Sequence, residues 1–159
     1  MIEVRRVRAA DWQTLREVRL RALADAPNAF GTVHSEAQAR PDEWWRDWAE
    51  RSASSSEQAM FLAWDDDEAV GIAGIFGDAG RFDVISMWTD PACRGRGVAG
   101  SLLEAALAFA KDTPVFLSVT ENNDVARRLY ERRGFVATGL VEPLRSNPRL
   151  AIHELKLER

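Results

Sequence analysis

The chain has 159 residues, 46% of them hydrophobic and 29% charged, with a net charge of −4. That length supports one domain over 1–159 with a buried core, of ordinary globular composition. The acidic balance argues against general nucleic-acid binding, which needs a basic face, and favours a small ligand, a cationic one if anything.

"IEVRRV" alternates apolar and charged residues, as a half-buried strand does. Asp11 sits at an N-cap position, and Trp12, Leu15, Ala22, Leu23 and Ala26 share one face of the helix that follows. Arg19 falls in the middle of that face. It either snorkels to solvent or faces a cleft and meets a substrate carboxylate. Ser35 and Gln38 have capping-box spacing, so a short helix begins there. Pro41, Asp42 and Glu43 suit the first turn of the next helix, which carries Trp44, Trp45 and Trp48, as core or as ligand walls.

"RSASSSEQ" (51–58) reads as a surface loop. "AMFLAW" and "AVGIAGIF" flank the turn "DDDE" as a hairpin, and "FDVISMW" is a third strand. Val98 to Lys111 is an amphipathic helix, "VFLSV" a strand, and Asp124 to Arg133 a helix closed by Gly134. "FVATGLV" and "LAIHELKL" form a closing antiparallel pair, joined by the long loop "EPLRSNPR" (142–149). Apart from the short helix at Ser35, the order is β-α-α-β-β-β-α-β-α-β-β, a mixed α/β domain with one central sheet.

One cysteine, Cys93, and two histidines, His34 and His153, give neither a disulfide nor metal-ligand spacing, so no metal is expected. "MIEVRRVRAADW" has no apolar leader core, and the run around "LLEAALAFA" is far short of a bilayer span. The expectation is a cytoplasmic protein with no membrane partner.

The stretch that carries chemistry is "CRGRGVAGSLLEAAL" (93–107). A helix that begins near Val98 offers unpaired N–H groups and a positive dipole end. A loop without bulky side chains lets a phosphate sit on them, and Arg94 and Arg96 add charge there. Gly95 and Gly100 have P-loop spacing, but no Lys-Ser/Thr pair follows. "GRGVAG" fits G-x-G-x-x-G, with Glu121 about 20 residues on. Against a dinucleotide site, "TDPACR" separates the strand from the first glycine, and too few parallel strands remain for a doubly wound sheet.

"RGRGVA" (94–99) matches R/Q-x-x-G-x-G/A, and "NDVARRLYERRGF" (123–135) matches N-x-x-A-x-x-x-Y-x-x-x-G-F. In this order and at this separation, the two blocks resemble those of the GNAT superfamily of acyl-CoA-dependent N-acetyltransferases, and the strand order resembles it over nearly the whole chain. The resemblance implies a GNAT-like fold with acetyl-CoA as cosubstrate. Its pyrophosphate would lie on Arg94, Gly95, Arg96, Gly97, Val98, Ala99 and Gly100, with Ser101 reaching a phosphate. The backbone of Met87, Trp88 and Thr89 would pair with the pantetheine arm, and one N–H there would polarise the thioester carbonyl. Asn123 either holds pantetheine or caps the following helix. Arg127 either touches the nucleotide end or belongs to a solvated face with Arg128, Arg132 and Arg133.

Acetyl transfer to an amine needs a deprotonated amine, a polarised thioester and a proton for the leaving thiolate. The resemblance makes Tyr130, the one tyrosine in the chain, the acid beside the thiol. Asp83 holds the register at which related enzymes carry a glutamate base; it is one methylene shorter, and is either a base acting through water or a solvated strand-end carboxylate. The reaction implied is direct transfer in a ternary complex to a primary amine of a small molecule. A peptide or protein N-terminus is the alternative acceptor, a non-catalytic acyl-CoA-binding module the alternative class. A homodimer is expected only because such families commonly form one.

Overall fold

The computed structural model describes residues 1–78 and 80–159. Its elements run β1 (Ile2–Arg6), α1 (Trp12–Asp25), α2 (His34–Gln38), α3 (Asp42–Ser54), β2 (Gln58–Asp65), β3 (Glu68–Asp78) and β4 (Arg81–Thr89). Then follow α4 (Val98–Ala110), β5 (Val115–Thr120), α5 (Asp124–Arg133), β6 (Phe135–Leu144) and β7 (Asn147–Leu157). The strands form one seven-stranded sheet in the order β1-β2-β3-β4-β5-β7-β6. Every neighbouring pair is antiparallel except β4 and β5. No helix among the described residues is long and apolar enough to cross a membrane.

The period-2 pattern of β2 builds two cores at once. Ala59, Phe61 and Ala63 face the α4 side, while Met60 and Leu62 face α1 and α3. On α4, Leu102, Leu103, Ala106, Leu107 and Ala110 are buried. Each leucine contributes about 1.5–3 kcal/mol on burial, so packing, not loop geometry, fixes this helix on the sheet. Close approach needs Gly71 on β3: a Cβ there would lie 3.0 Å from both Leu102 Cδ1 and Val98 Cγ1, and 3.2 Å from the Trp88 carbonyl.

Four local expectations are corrected. Ser35 is not a cap: α2 starts at His34, after Val33, with no side-chain cap bond. The Asp11 carboxylate turns back to accept from Arg8 N (2.8 Å), leaving α1 without a side-chain cap. Residues 51–54 are helical, because Arg6 reaches over and donates to the carbonyls of Ser52 (2.8 Å) and Ser55 (2.7 Å), satisfying the end of α3. Residues 142–149 are the end of a hairpin and not a long loop. Pro143 is tolerated in β6 because that strand lies at the sheet edge, beside a register shift.

The replacement Gly71→Val should push the start of α4 off the sheet. Overpacking of this kind costs about 1–3 kcal/mol. A fall in Tm of about 3–10 °C is expected in thermal unfolding.

Candidate active site

The parallel pair β4–β5 is in register at only two positions, Phe82 with Val115 and Asp83 with Phe116. Beyond them the strands part. Across β3–β4 the register shifts between Ile72 and Gly74, so that Ser86 and Met87 bulge, with Ser86 at φ 61°. The result is a cleft of about 720 Å³. Asp83, Met87, Asn123 and Tyr130 all line it, so the structure brings the two expected catalytic side chains to one space.

Tyr130 hangs from α5 with its ring edge-on to Phe135, and is only 6% exposed. Burial pushes its pKa up to about 12, so the phenol carries its proton at neutral pH. Asp83 is half-buried at the apex of the cleft. Its carboxylate accepts from Arg81 Nη2 (2.8 Å) and Nε (3.1 Å), and Arg81 also donates to Glu154 (2.7 Å).

The strand leads from Thr89 through a short 3₁₀ turn (Pro91–Cys93) to the glycine loop. Gly95 and Gly97 have φ of 80° and 79°, a left-handed conformation that favours glycine. A Cβ added at Gly95, Gly97 or Gly100 would meet nothing within 4 Å, so the loop surface is open. The first α-helical bond at this end is Ser101 N to Gly97 O (3.1 Å), which leaves the N–H groups of Val98, Ala99 and Gly100 for a ligand. Arg94 donates to Asp25 (2.9 Å) and to the Thr89 carbonyl (3.2 Å); Arg96 donates to Asp65 (3.1 Å). The two loop arginines are thus held by carboxylates, and a phosphate would have to share them.

Trp88 points its side chain into the core, and its Nε1 donates to the same Asp25 oxygen (2.9 Å), leaving only its backbone for the cleft. Thr89 is buried with an unpartnered hydroxyl. Asn123 lines the cleft and caps α5 by accepting from Ala126 N (3.4 Å). Ser101 is exposed on α4. Arg127 pairs with Glu131 (3.8 Å) and is not among the cleft-lining residues.

At the far end the β6–β7 hairpin closes on residues 27–36. Arg145 donates to the Gly31 carbonyl (2.9 Å) and to both oxygens of Glu36 (3.1 and 3.2 Å). Ser146 donates to the Phe30 carbonyl (2.6 Å), and Thr120 of β5 donates to the Asn28 carbonyl (2.7 Å). Sequence reasoning missed Asp25, Arg145 and Glu36. Each acts across more than 60 residues of chain, and no local pattern marks such partners.

Comparison with known proteins agrees with this geometry. The model of the acetyltransferase (GNAT) family matches residues 15–135. The N-alpha-acetyltransferase RimI of Mycobacterium tuberculosis is 41% identical over 76 residues, covering 45% of this chain and 48% of that protein. The mycothiol acetyltransferase of Salinispora tropica is 32% identical over 121 residues, covering 72% of this chain and 38% of that protein. The match therefore spans less than half the length of either relative. Among solved structures, YncA of Salmonella typhimurium, determined with its cofactor acetyl-CoA, superposes with a TM-score of 0.77 at 18% identity, covering 99% of this chain and 94% of that one. On the family match, carried through both motif blocks and the parted strands, the chain belongs to the acetyltransferase (GNAT) family.

Proposed function

We propose that this chain is an acetyl-CoA-dependent N-acetyltransferase that passes the acetyl group directly to a primary amine of a small molecule. The observation that carries the reading is the open mouth of α4, which ends the same strand whose parting from β5 opens a cleft lined by the one tyrosine. The N–H groups of 98–100 hold the pyrophosphate, with Arg94 and Arg96 sharing their charge and Ser101 beside them. The free backbone of Met87, Trp88 and Thr89 pairs with the pantetheine arm as an added strand, and an N–H of the bulge polarises the thioester carbonyl. Asn123 flanks that arm; Arg127 extends toward the nucleotide end.

Asp83, through water, takes the first proton from the acceptor ammonium. The amine nitrogen then forms its bond to the carbonyl carbon as the carbon–sulfur bond breaks. Tyr130 gives its proton to the departing sulfur and recovers one from the nitrogen, so one proton is released per turnover.

The likeness to RimI favours a second reading, an N-terminal acetyltransferase acting on protein. The hairpin clasped to Gly31 and Glu36 supports the small acceptor, since a polypeptide needs an open groove there.

Coenzyme A should raise the Tm of the chain, and Gly97→Val, which forces a branched side chain into a left-handed conformation at the phosphate site, should weaken CoA binding about 10-fold or more in calorimetry. No stabilisation by CoA would sink the assignment. For Tyr130→Phe, kcat measured by thiol release should drop about 100-fold. The lone phenol also reports on itself: its tyrosinate absorbance should titrate near 12 in the folded chain. In denaturant it should titrate near the ordinary value of about 10. Because the folded value is the higher one, wild type should lose stability relative to Tyr130→Phe as pH climbs from about 10 to 12. The Asp83→Asn enzyme should lose about 10-fold or more in kcat/KM; an unchanged value would assign deprotonation to another group.

A further inference from the structure

Arg19 sits on α1 with only 9% of its surface exposed, and its Nη1 is buried without a hydrogen-bond partner. No carboxylate among the described residues pairs with it. The face of Phe30 lies 4.9 Å from its guanidinium. Burial, and then the nearby charge of Arg40, press its pKa down to about 10, so the folded protein holds an uncompensated cation at a cost. Arg40 is itself half-buried and stacked on Trp44 at 4.0 Å.

These two cations stand where two cavities meet. The catalytic cleft and a smaller chamber of about 270 Å³ share Arg19, Thr32, Arg40, Ile85 and Ser86 as lining. The carboxylates in the cleft are Asp83, held by Arg81; Glu36, held by Arg145; and Glu142 on the hairpin, and none of them meets Arg19. A pair of guanidiniums beside a reaction space, with no internal counter-ion, is a receptor for an anion on the substrate. A planar monoanion suits it: one charge neutralises Arg19, two oxygens match the guanidinium fork, and the surrounding walls (Phe30, Ile85, Trp44) are apolar.

We propose that the acceptor is an amine that also carries a carboxylate, an amino acid or a close analogue, whose carboxylate is bound by Arg19 and Arg40 while its amine faces Tyr130 and Met87. The inference rests on the acetyltransferase reading and specifies its substrate class.

The test uses matched pairs with the full chain and acetyl-CoA: free amino acids against their decarboxylated amines, and β-alanine against phosphoethanolamine. Thiol release measures turnover, and the Tm of the CoA-saturated protein measures binding without turnover. The carboxylated member should be preferred about 10- to 100-fold, the range a charge-assisted hydrogen bond supports. Arg19→Met should erase the preference, mainly through KM, while leaving the ligand-free Tm unchanged or higher, since it replaces an unpaired buried charge by an apolar chain. Arg19→Lys should keep part of the preference. Arg40→Met, at a half-buried position, should reduce it several-fold. Equal treatment of the pairs in both rate and Tm overturns the proposal, as does a preference that survives Arg19→Met, or phosphoethanolamine outperforming β-alanine. A chain that binds CoA and acetylates only uncharged or cationic amines loses this inference and keeps the acetyltransferase reading; a chain that CoA does not stabilise loses both.

Discussion

The architecture turns on how little of β4 and β5 is allowed to pair. Two residues of parallel register join them, at Phe82 and Asp83, and then the hydrogen-bonding edge of β4 is left facing a gap. Backbone groups in such a gap must find partners in water or in a ligand. The gap stays open because each strand is held from its other side, β4 by β3 and β5 by five successive pairs with β7. The bond from Thr120 to the Asn28 carbonyl and the clasp of Arg145 on Gly31 and Glu36 span the cleft from the acceptor side. The opening is therefore strutted, and an extended chain with its own amides can occupy it as a strand would.

One helix couples the two ends of this cleft. Arg19 and Asp25 both lie on α1, six residues or about 9 Å apart along its axis. Asp25 receives Trp88 Nε1 and Arg94 Nη2 on one oxygen, so the end of α1 orients the first arginine of the glycine loop. Arg21, between them, donates to the Ala69 carbonyl and pairs with Asp90, whose other oxygen caps the turn before that loop. The glycine loop and the chamber are positioned by the same helix, a condition for holding the two proposed reactants in attack geometry.

What could be read in the sequence was local. The apolar face of the helix from Val98, the closing Gly134 and the Asn123 cap, one of the two roles read for that residue, each depend on neighbours within a few residues, and these appear in the fold. Two of the misreadings were non-local. The serines at 51–54 look like loop until Arg6, from another strand, satisfies the carbonyls at the end of their helix. Residues 142–149 look like loop because proline rarely enters a strand, and only the sheet order reveals that this strand is an edge. Arg94 and Arg96 were readable as charges at a helix mouth, but Asp25 and Asp65, which hold them, were not.

The net charge of −4 pointed toward a cationic ligand, and the acceptor end of the cleft argues the reverse. The two statements act over different lengths. Net charge governs the field at a distance, which salt screens within about 10 Å. The field inside a chamber is set by whichever charges line it, and there the cleft carboxylates are largely taken up by Arg81 and Arg145 while Arg19 has no such partner. A buried, unpaired guanidinium destabilises the free protein, and a hydrophobic residue of similar size would pack there at lower cost. Retaining the charge makes sense only if something outside the chain supplies the missing half of the pair. An acidic protein with a cationic pocket can discriminate through that local imbalance: the anion proposed as its ligand would gain there what it could not gain at the surface.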